Sequence, residues 1–252
     1  MINIIKSEQL KYKRTLTRRL ILFTPLFFII VALPQKLFMP ADYLRPWQLL
    51  IALVYNWWPV IFIPLGTALF ATLVEVQEKR AGSYRSIRAH DVSPVTIWIS
   101  KIIVMAIHTF LTTLVLIFVI IISGLITAGG SIPWFKIFAG GFIVWLTSLA
   151  IIPLQLWAAT LKGTFASIAM GSLGLIAGVV AAAKPYWIYV PWSWSTRLMS
   201  PIIGVHPNGT LLEPASPLLD PLVIPIGIVI SLVALVIFTF ITAVWFSRRE
   251  VR

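Results

Sequence analysis

The chain has 252 residues, of which 59% are hydrophobic and 11% charged. A soluble domain carries about 25% charged residues, so this composition excludes one and indicates a polytopic membrane protein. The net charge of +12 fits basic loops on the cytosolic side of a membrane better than a nucleic-acid binder, and the lack of cysteine excludes disulfides and thiolate metal sites.

Six apolar runs lie near residues 20–38, 49–74, 95–126, 134–160, 165–184 and 222–246. Each is long enough for a membrane helix, which takes about 20 residues. No interval between them suffices for a core of its own, so residues 1–252 read as one transmembrane domain. The first run begins near Leu20 behind six basic residues and no small-residue cleavage pattern follows, so no signal peptide is expected.

Residues 1–19 read as an amphipathic helix at the membrane surface. Ile2, Ile5, Tyr12, Leu16 and Leu20 fall on one stripe at helical spacing. Lys6, Lys11, Lys13, Arg14 and Arg18 flank it, where long stems reach lipid headgroups. Two readings fit: an interfacial helix that moves with the first span, or a passive anchor and topology signal.

Residues 20–74 hold spans 1 and 2. Residues 75–94 form a charged loop, and Glu75–Lys101 is the densest charged stretch with a long apolar run on each side. Glu75–Arg80 carries the second helix out of the membrane, Gly82 permits a turn, and Ser83–Asp91 reads as a short crossing helix. On it Tyr84, Ile87, Arg88 and Asp91 share one face. Such a surface fits a cleft on a cytosolic partner, with Tyr84 and Ile87 as apolar anchors and Arg85 and Arg88 as polar contacts. The alternative is a solvated charged loop. Ser93-Pro94 restarts a helix.

Residues 95–184 hold spans 3 to 5. His108 is the only clear ionisable group inside a span, and a lone histidine there is more often a satisfied interhelical hydrogen-bonder than a proton relay. No nucleophile set, metal-ligand spacing or phosphate loop is present, so no catalytic or metal residue is assigned. Gly174, Gly178 and Ala182 are spaced four apart, the small-xxx-small pattern of close helix packing, and Gly140-Gly141 has a similar character. Pro25, Pro59, Pro64, Pro153 and Pro225 fall within spans and are expected to kink them.

Residues 185–221 form an external segment that opens with PYWIYVPWSWS. It is too aromatic for a free loop, and lies on the outer surface or caps the bundle. Trp57, Trp58, Trp187, Trp192 and Trp194 are candidate external contacts for a substrate; they would equally form a lipid-interface belt. Residues 222–246 are span 6 and 247–252 a cytosolic tail. With both termini inside, fifteen of the 20 Lys and Arg lie on the cytosolic side, as the positive-inside rule asks.

The opening KSEQLKYKRTLTRRL, the loop EKRAGSYRSIRAHDVSPVTIWISK after span 2 and the tail SRREVR resemble ABC-2-type permeases. The stretches NWWPVIFIPLGTAL, WISKIIVMAIH, IPLQLWAATLKGTF and PYWIYVPWSW are similar to permease subunits of lantibiotic-immunity transporters, the MutE/EpiE and MutG group. The resemblance covers essentially the whole chain. It implies an all-α membrane protein of ABC-2 exporter type: six transmembrane helices, an amphipathic N-terminal helix, and a coupling helix at Gly82–Val92. It also implies a second related permease as heterodimer partner, two copies of a cytosolic ATP-binding subunit that hold the ATP and Mg, and a cationic antimicrobial peptide as substrate. The location implied is a bacterial cell membrane. The pattern G-x-x-x-x-G-K-[ST] is absent, so ATP hydrolysis is expected on the separate subunit and no cofactor on this chain. Three rivals stay open: an ABC-2 exporter of another amphipathic or lipid-like substrate, a secondary carrier or channel that the scarcity of charges in the spans disfavours, and an anchoring subunit with no substrate path.

Overall fold

The computed structural model describes residues 1–13, 15–38, 45–80, 82 and 93–249, which form an all-α bundle. Helix α1 (Ile2–Lys11) precedes α2 (Leu16–Phe38). Next come α3 (Trp47–Trp57), a π-helical turn (Trp58–Phe62) and α4 (Ile63–Arg80), continuous enough to act as one span. The 34-residue α5 (Pro94–Thr127) follows. Helices α6 (Trp134–Ser148) and α7 (Ile151–Lys162) meet at 44° and pass as one bent span. The last long elements are α8 (Thr164–Ala182), the short α9 (Trp194–Ile203) and α10 (Val223–Arg248). By length and apolar character the described helices supply five spans, or six with the bent pair counted. Among the described residues strand pairing is limited to Arg45–Pro46, parallel with Ala128–Gly129, and an isolated antiparallel bridge between Val205 and Leu211.

Proline sets the breaks where its missing N–H frees a carbonyl four residues back. Pro153 frees that of Leu149, where the α6–α7 bend falls. Pro59 is the second residue of the π-turn and Pro64 follows just after it; the turn closes where the Ile63 N–H donates to the Trp58 carbonyl five residues back. Pro225 sits in the first turn of α10 and leaves that helix intact, as a first-turn proline does.

The buried side chains gather in two groups. One, at the end where α3 begins and α5 finishes, contains Phe28, Trp47, Tyr55, Trp58, Ile120, Trp194 and Leu198. The other, at the opposite end, contains Tyr12, Phe70, Trp98, Met105, Leu156 and Phe246. Residues 185–221, expected either on a surface or as a cap on the bundle, send α9 into the bundle, where every residue from Trp194 to Ser200 is buried against α3, α6 and α10. Gly204, left-handed at φ +87°, ends α9, and the following turn closes over Asn56, whose Nδ2 donates to Pro207 O at 3.0 Å.

Candidate functional site

The sequence places four charges of alternating sign on three elements, and the fold brings them together. Glu8 and Lys11 are one turn apart on α1; Glu78 lies near the end of α4, and Lys101 two turns into α5. Lys101 Nζ donates to Glu8 Oε2 at 2.8 Å and to Glu78 Oε1 at 2.5 Å. Lys11 Nζ donates to Glu8 Oε1 at 2.7 Å and to the same Glu78 oxygen at 2.5 Å. Each lysine thus bridges both carboxylates. Lys101 is 0% exposed and Glu78 1%, so the pairs sit in a low-dielectric interior where charges hold each other strongly but forfeit hydration.

Burial works against the charge of Lys11, but the Glu8 and Glu78 carboxylates outweigh it and hold that ammonium above its ordinary pKa. Beside it Tyr12 is buried and faces the same carboxylates, so its phenol is pushed well above its ordinary range and stays neutral. The Tyr12 ring stacks on His108, centroids 4.2 Å apart. His108 Nδ1 lies 2.7 Å from Val104 O, so it is satisfied, but by its own helix and not across helices as expected.

A second layer ties the neighbouring helix ends. Thr160 Oγ1 donates to Glu75 at 3.1 Å, and Arg249 donates to Thr160 O at 2.8 Å. Trp98 Nε1 donates to Thr242 Oγ1 at 2.9 Å and its ring stacks on Phe246. The ends of α4, α5, α7 and α10 therefore meet in one polar knot, with α1 clamped across it. In the sequence, residues 81–92 lie between Glu78 and Lys101.

The expected contact residues Tyr84, Arg85, Ile87, Arg88 and Asp91 lie outside the described residues. Gly82 has φ +96°, the turn-forming conformation its sequence position suggested. Of the tryptophans proposed to face outward, Trp58, Trp187 and Trp194 are buried. Trp194 Nε1 donates to Ile188 O, and Trp187 lies under Arg197, so these rings pack within the fold. Trp57 remains 37% exposed and Trp192 partly exposed; the exposed aromatics of residues 185–221 are instead Tyr186 and Tyr189. The exposed acids Glu213 and Asp220 lie on the same segment.

Gly174 and Gly178 do mark a close approach, but to an aromatic ring instead of a second small-residue helix. A Cβ on Gly174 would lie 2.4 Å from the Trp192 ring, and one on Gly178 would lie 2.7 Å from the Trp192 carbonyl. Ala182 is fully buried beyond them. Gly140 and Gly141 similarly seat Tyr55 and Ile117.

The reading that His108 is the sole ionisable group within spans needs correction. Glu75, Glu78 and Lys101 also belong to span helices and are buried. They escape the cost of lone charges because Lys101 pairs with Glu78 and Glu8, and Glu75 accepts from Thr160. A signal was available. Lys101 interrupts an otherwise apolar run, WISKIIV, and Glu75 and Glu78 are spaced three apart, on one face of a helix.

The chain is thus a multi-pass helical bundle with a charged knot at one end. Residues 4–178 match the family model for the ABC-2 family transporter protein, and the chain belongs to that family. It is a membrane permease subunit, and the family implies an ABC ATPase partner. No curated protein and no solved structure matches the chain.

Proposed function

We propose that this permease works in an ABC exporter that expels lantibiotic-type cationic antimicrobial peptides from the outer leaflet of a bacterial cell membrane, giving immunity or resistance. In this reading both termini and residues 75–94 are cytosolic, as the distribution of Lys and Arg supports. A related permease completes a heterodimer, and two ATP-binding subunits supply the ATP and Mg. They dock at Gly82–Val92, with Tyr84 and Ile87 as apolar anchors and Arg85, Arg88 and Asp91 around them.

The observation that carries the reading is the position of the ion-pair cluster. It joins α1 to both helices that flank residues 81–92, at Glu78 and Lys101. A push on that segment therefore reaches α1, α4 and α5 together. Closure of the ATP-binding subunits re-sorts these pairs, and the breaks in span 2 and at α6–α7 take up the change. The peptide reading is supported by the exposure of Trp57, Tyr186 and Tyr189 and of the acids Glu213 and Asp220, groups that suit an amphipathic cation, with cation–π contacts worth about 0.5–2 kcal/mol each.

The test is ATPase activity of the reconstituted complex with and without peptide. Stimulation that disappears in the Tyr84→Ala, Ile87→Ala double variant is expected. Peptide-independent ATPase together with full sensitivity of cells that express the complex would remove the peptide assignment and leave an ABC-2 permease for a different substrate.

A further inference from the structure

Beside the ion-pair cluster, on the other side of Tyr12, a groove of about 500 Å³ opens between α1, the first turns of α2 and the middle of α5. Its rim carries Lys6, Lys13 and Arg18, all exposed. Among the described residues no carboxylate pairs with any of the three. Its wall is apolar: Leu10 from α1 and Ile107 and Leu111 from α5. The stacked Tyr12 and His108 rings form the floor and separate the groove from the four charges behind it.

Most of the charge and most of the apolar wall come from different parts of the fold. Lys6 and Lys13 belong to the amphipathic opening and Arg18 to the first turn of α2, while Ile107 and Leu111 lie more than three turns into α5. A free phosphate would use only the rim and leave the wall wet. A cationic peptide would be repelled at the rim, so this is a different site from the one an antimicrobial peptide would use. The ligand that satisfies both parts carries an anionic phosphate on an acyl chain.

We propose that the groove is a discrete binding site for one anionic phospholipid, with its phosphate held by Lys6, Lys13 and Arg18 and an acyl chain lying along Ile107 and Leu111. The ligand chemistry rests on the groove alone; that the lipid comes from the cytosolic leaflet rests on the topology proposed above. Bound there, the lipid wedges α1 against α2 and α5 on the face opposite its ion pairs. It differs from diffuse attraction of a basic helix to headgroups in depending on particular cations rather than on net charge.

Arg19 supplies the control. It is exposed and adjacent to Arg18 but does not line the groove. The chain is purified in mild detergent from membranes that contain phosphatidylglycerol and phosphatidylethanolamine, and retained lipid is counted by native mass spectrometry. One phosphatidylglycerol per chain is expected. The Lys13→Gln, Arg18→Gln double variant should bind it about thirtyfold more weakly, taking each surface cation at its usual contribution. Arg19→Gln should retain it, and Leu111→Asn should weaken it with the rim intact. The proposal falls if Arg19→Gln loses as much lipid as Arg18→Gln, if phosphatidylethanolamine is retained equally, or if soluble glycerol phosphate displaces the lipid at similar concentration. These readouts do not involve transport, so loss of the peptide assignment leaves them unaffected, and the reverse holds too.

Discussion

Where α1 docks, two lysines and two glutamates lie within 2.5–2.8 Å of one another. At the far end the Trp47 ring rests directly on Gly124, Tyr55 on Gly140, and Trp192 on Gly174 and Gly178. Both arrangements bury large side chains, yet they behave differently under stress. Close packing has one good geometry and loses energy steeply on displacement. Ion pairs gain strength from a dry interior but offset much of it in lost hydration, and their partners have alternatives. Glu78 keeps one carboxylate oxygen without a partner among the described residues, so the cluster holds a spare acceptor for a shifted lysine. One end is therefore built from exchangeable contacts, and the other from shape.

The most decisive way to break this comparison is to place its two ends on the same side of the membrane. The chain has no cysteine, so single cysteines report cleanly. Ala215→Cys, on the exposed external segment, should label fully from outside with an impermeant reagent, and Asn3→Cys on α1 only after permeabilisation. The reverse pattern would overturn the orientation.

The next largest effect is expected at Lys101. Lys101→Met leaves two buried carboxylates facing Lys11 alone and should destabilise the fold by about 3–5 kcal/mol, read as a lowered unfolding midpoint in detergent. Neutralising the whole set (Glu8→Leu, Lys11→Met, Glu78→Leu, Lys101→Met) should recover most of that stability while abolishing stimulated ATPase in the complex. Recovery of both would reduce the cluster to a structural glue.

At the packed end, Gly174→Ala forces a methyl into the Trp192 ring and should cost about 1–3 kcal/mol. Adding Trp192→Leu should restore much of the loss, since the displaced atoms are ring atoms. No recovery would mean the strain lies in α8 itself. The smallest change is expected for Tyr12→Leu, which removes the stack on His108 at about 0.5–1.5 kcal/mol and should show as faster hydrogen exchange confined to α1. Exchange spread through α5 would instead make Tyr12 part of the main core.

The spans were legible because membrane helices announce themselves by long apolar runs, and the six runs correspond to α2, α3–α4, α5, α6–α7, α8 and α10. The breaks at Pro59 and Pro153 were legible for a similarly local reason. The four-charge cluster was not, because Glu8, Glu78 and Lys101 are far apart in sequence and each looks like an ordinary interfacial charge alone. The tryptophans misled for the converse reason. An indole near a membrane surface has the same composition signal whether it faces lipid, as Trp57 partly does, or roofs the core as Trp194 does. Only the inserted α9, which the proline-rich stretch concealed, separates the two.

The π-turn at Trp58–Phe62 bears on the angular phase of span 2. In a regular helix each residue advances about 100° around the axis for about 1.5 Å along it. The additional residue in the turn sets the phase of α4, and with it Glu75 and Glu78, relative to the clamped face of α3. Sliding the π-turn one residue along the chain would swing each residue it passes by about that angle with almost no change in length. Such a slide would re-aim only the side chains it passes and leave Glu75 and Glu78 in phase, so span 2 can change the face it shows at mid-length without disturbing the ion pairs at its end. Disulfide scanning of residues 58–64 against the neighbouring helices, with and without nucleotide in the complex, would record a slide as a change in which face crosslinks there; an unchanged face would mean that the π-turn is fixed.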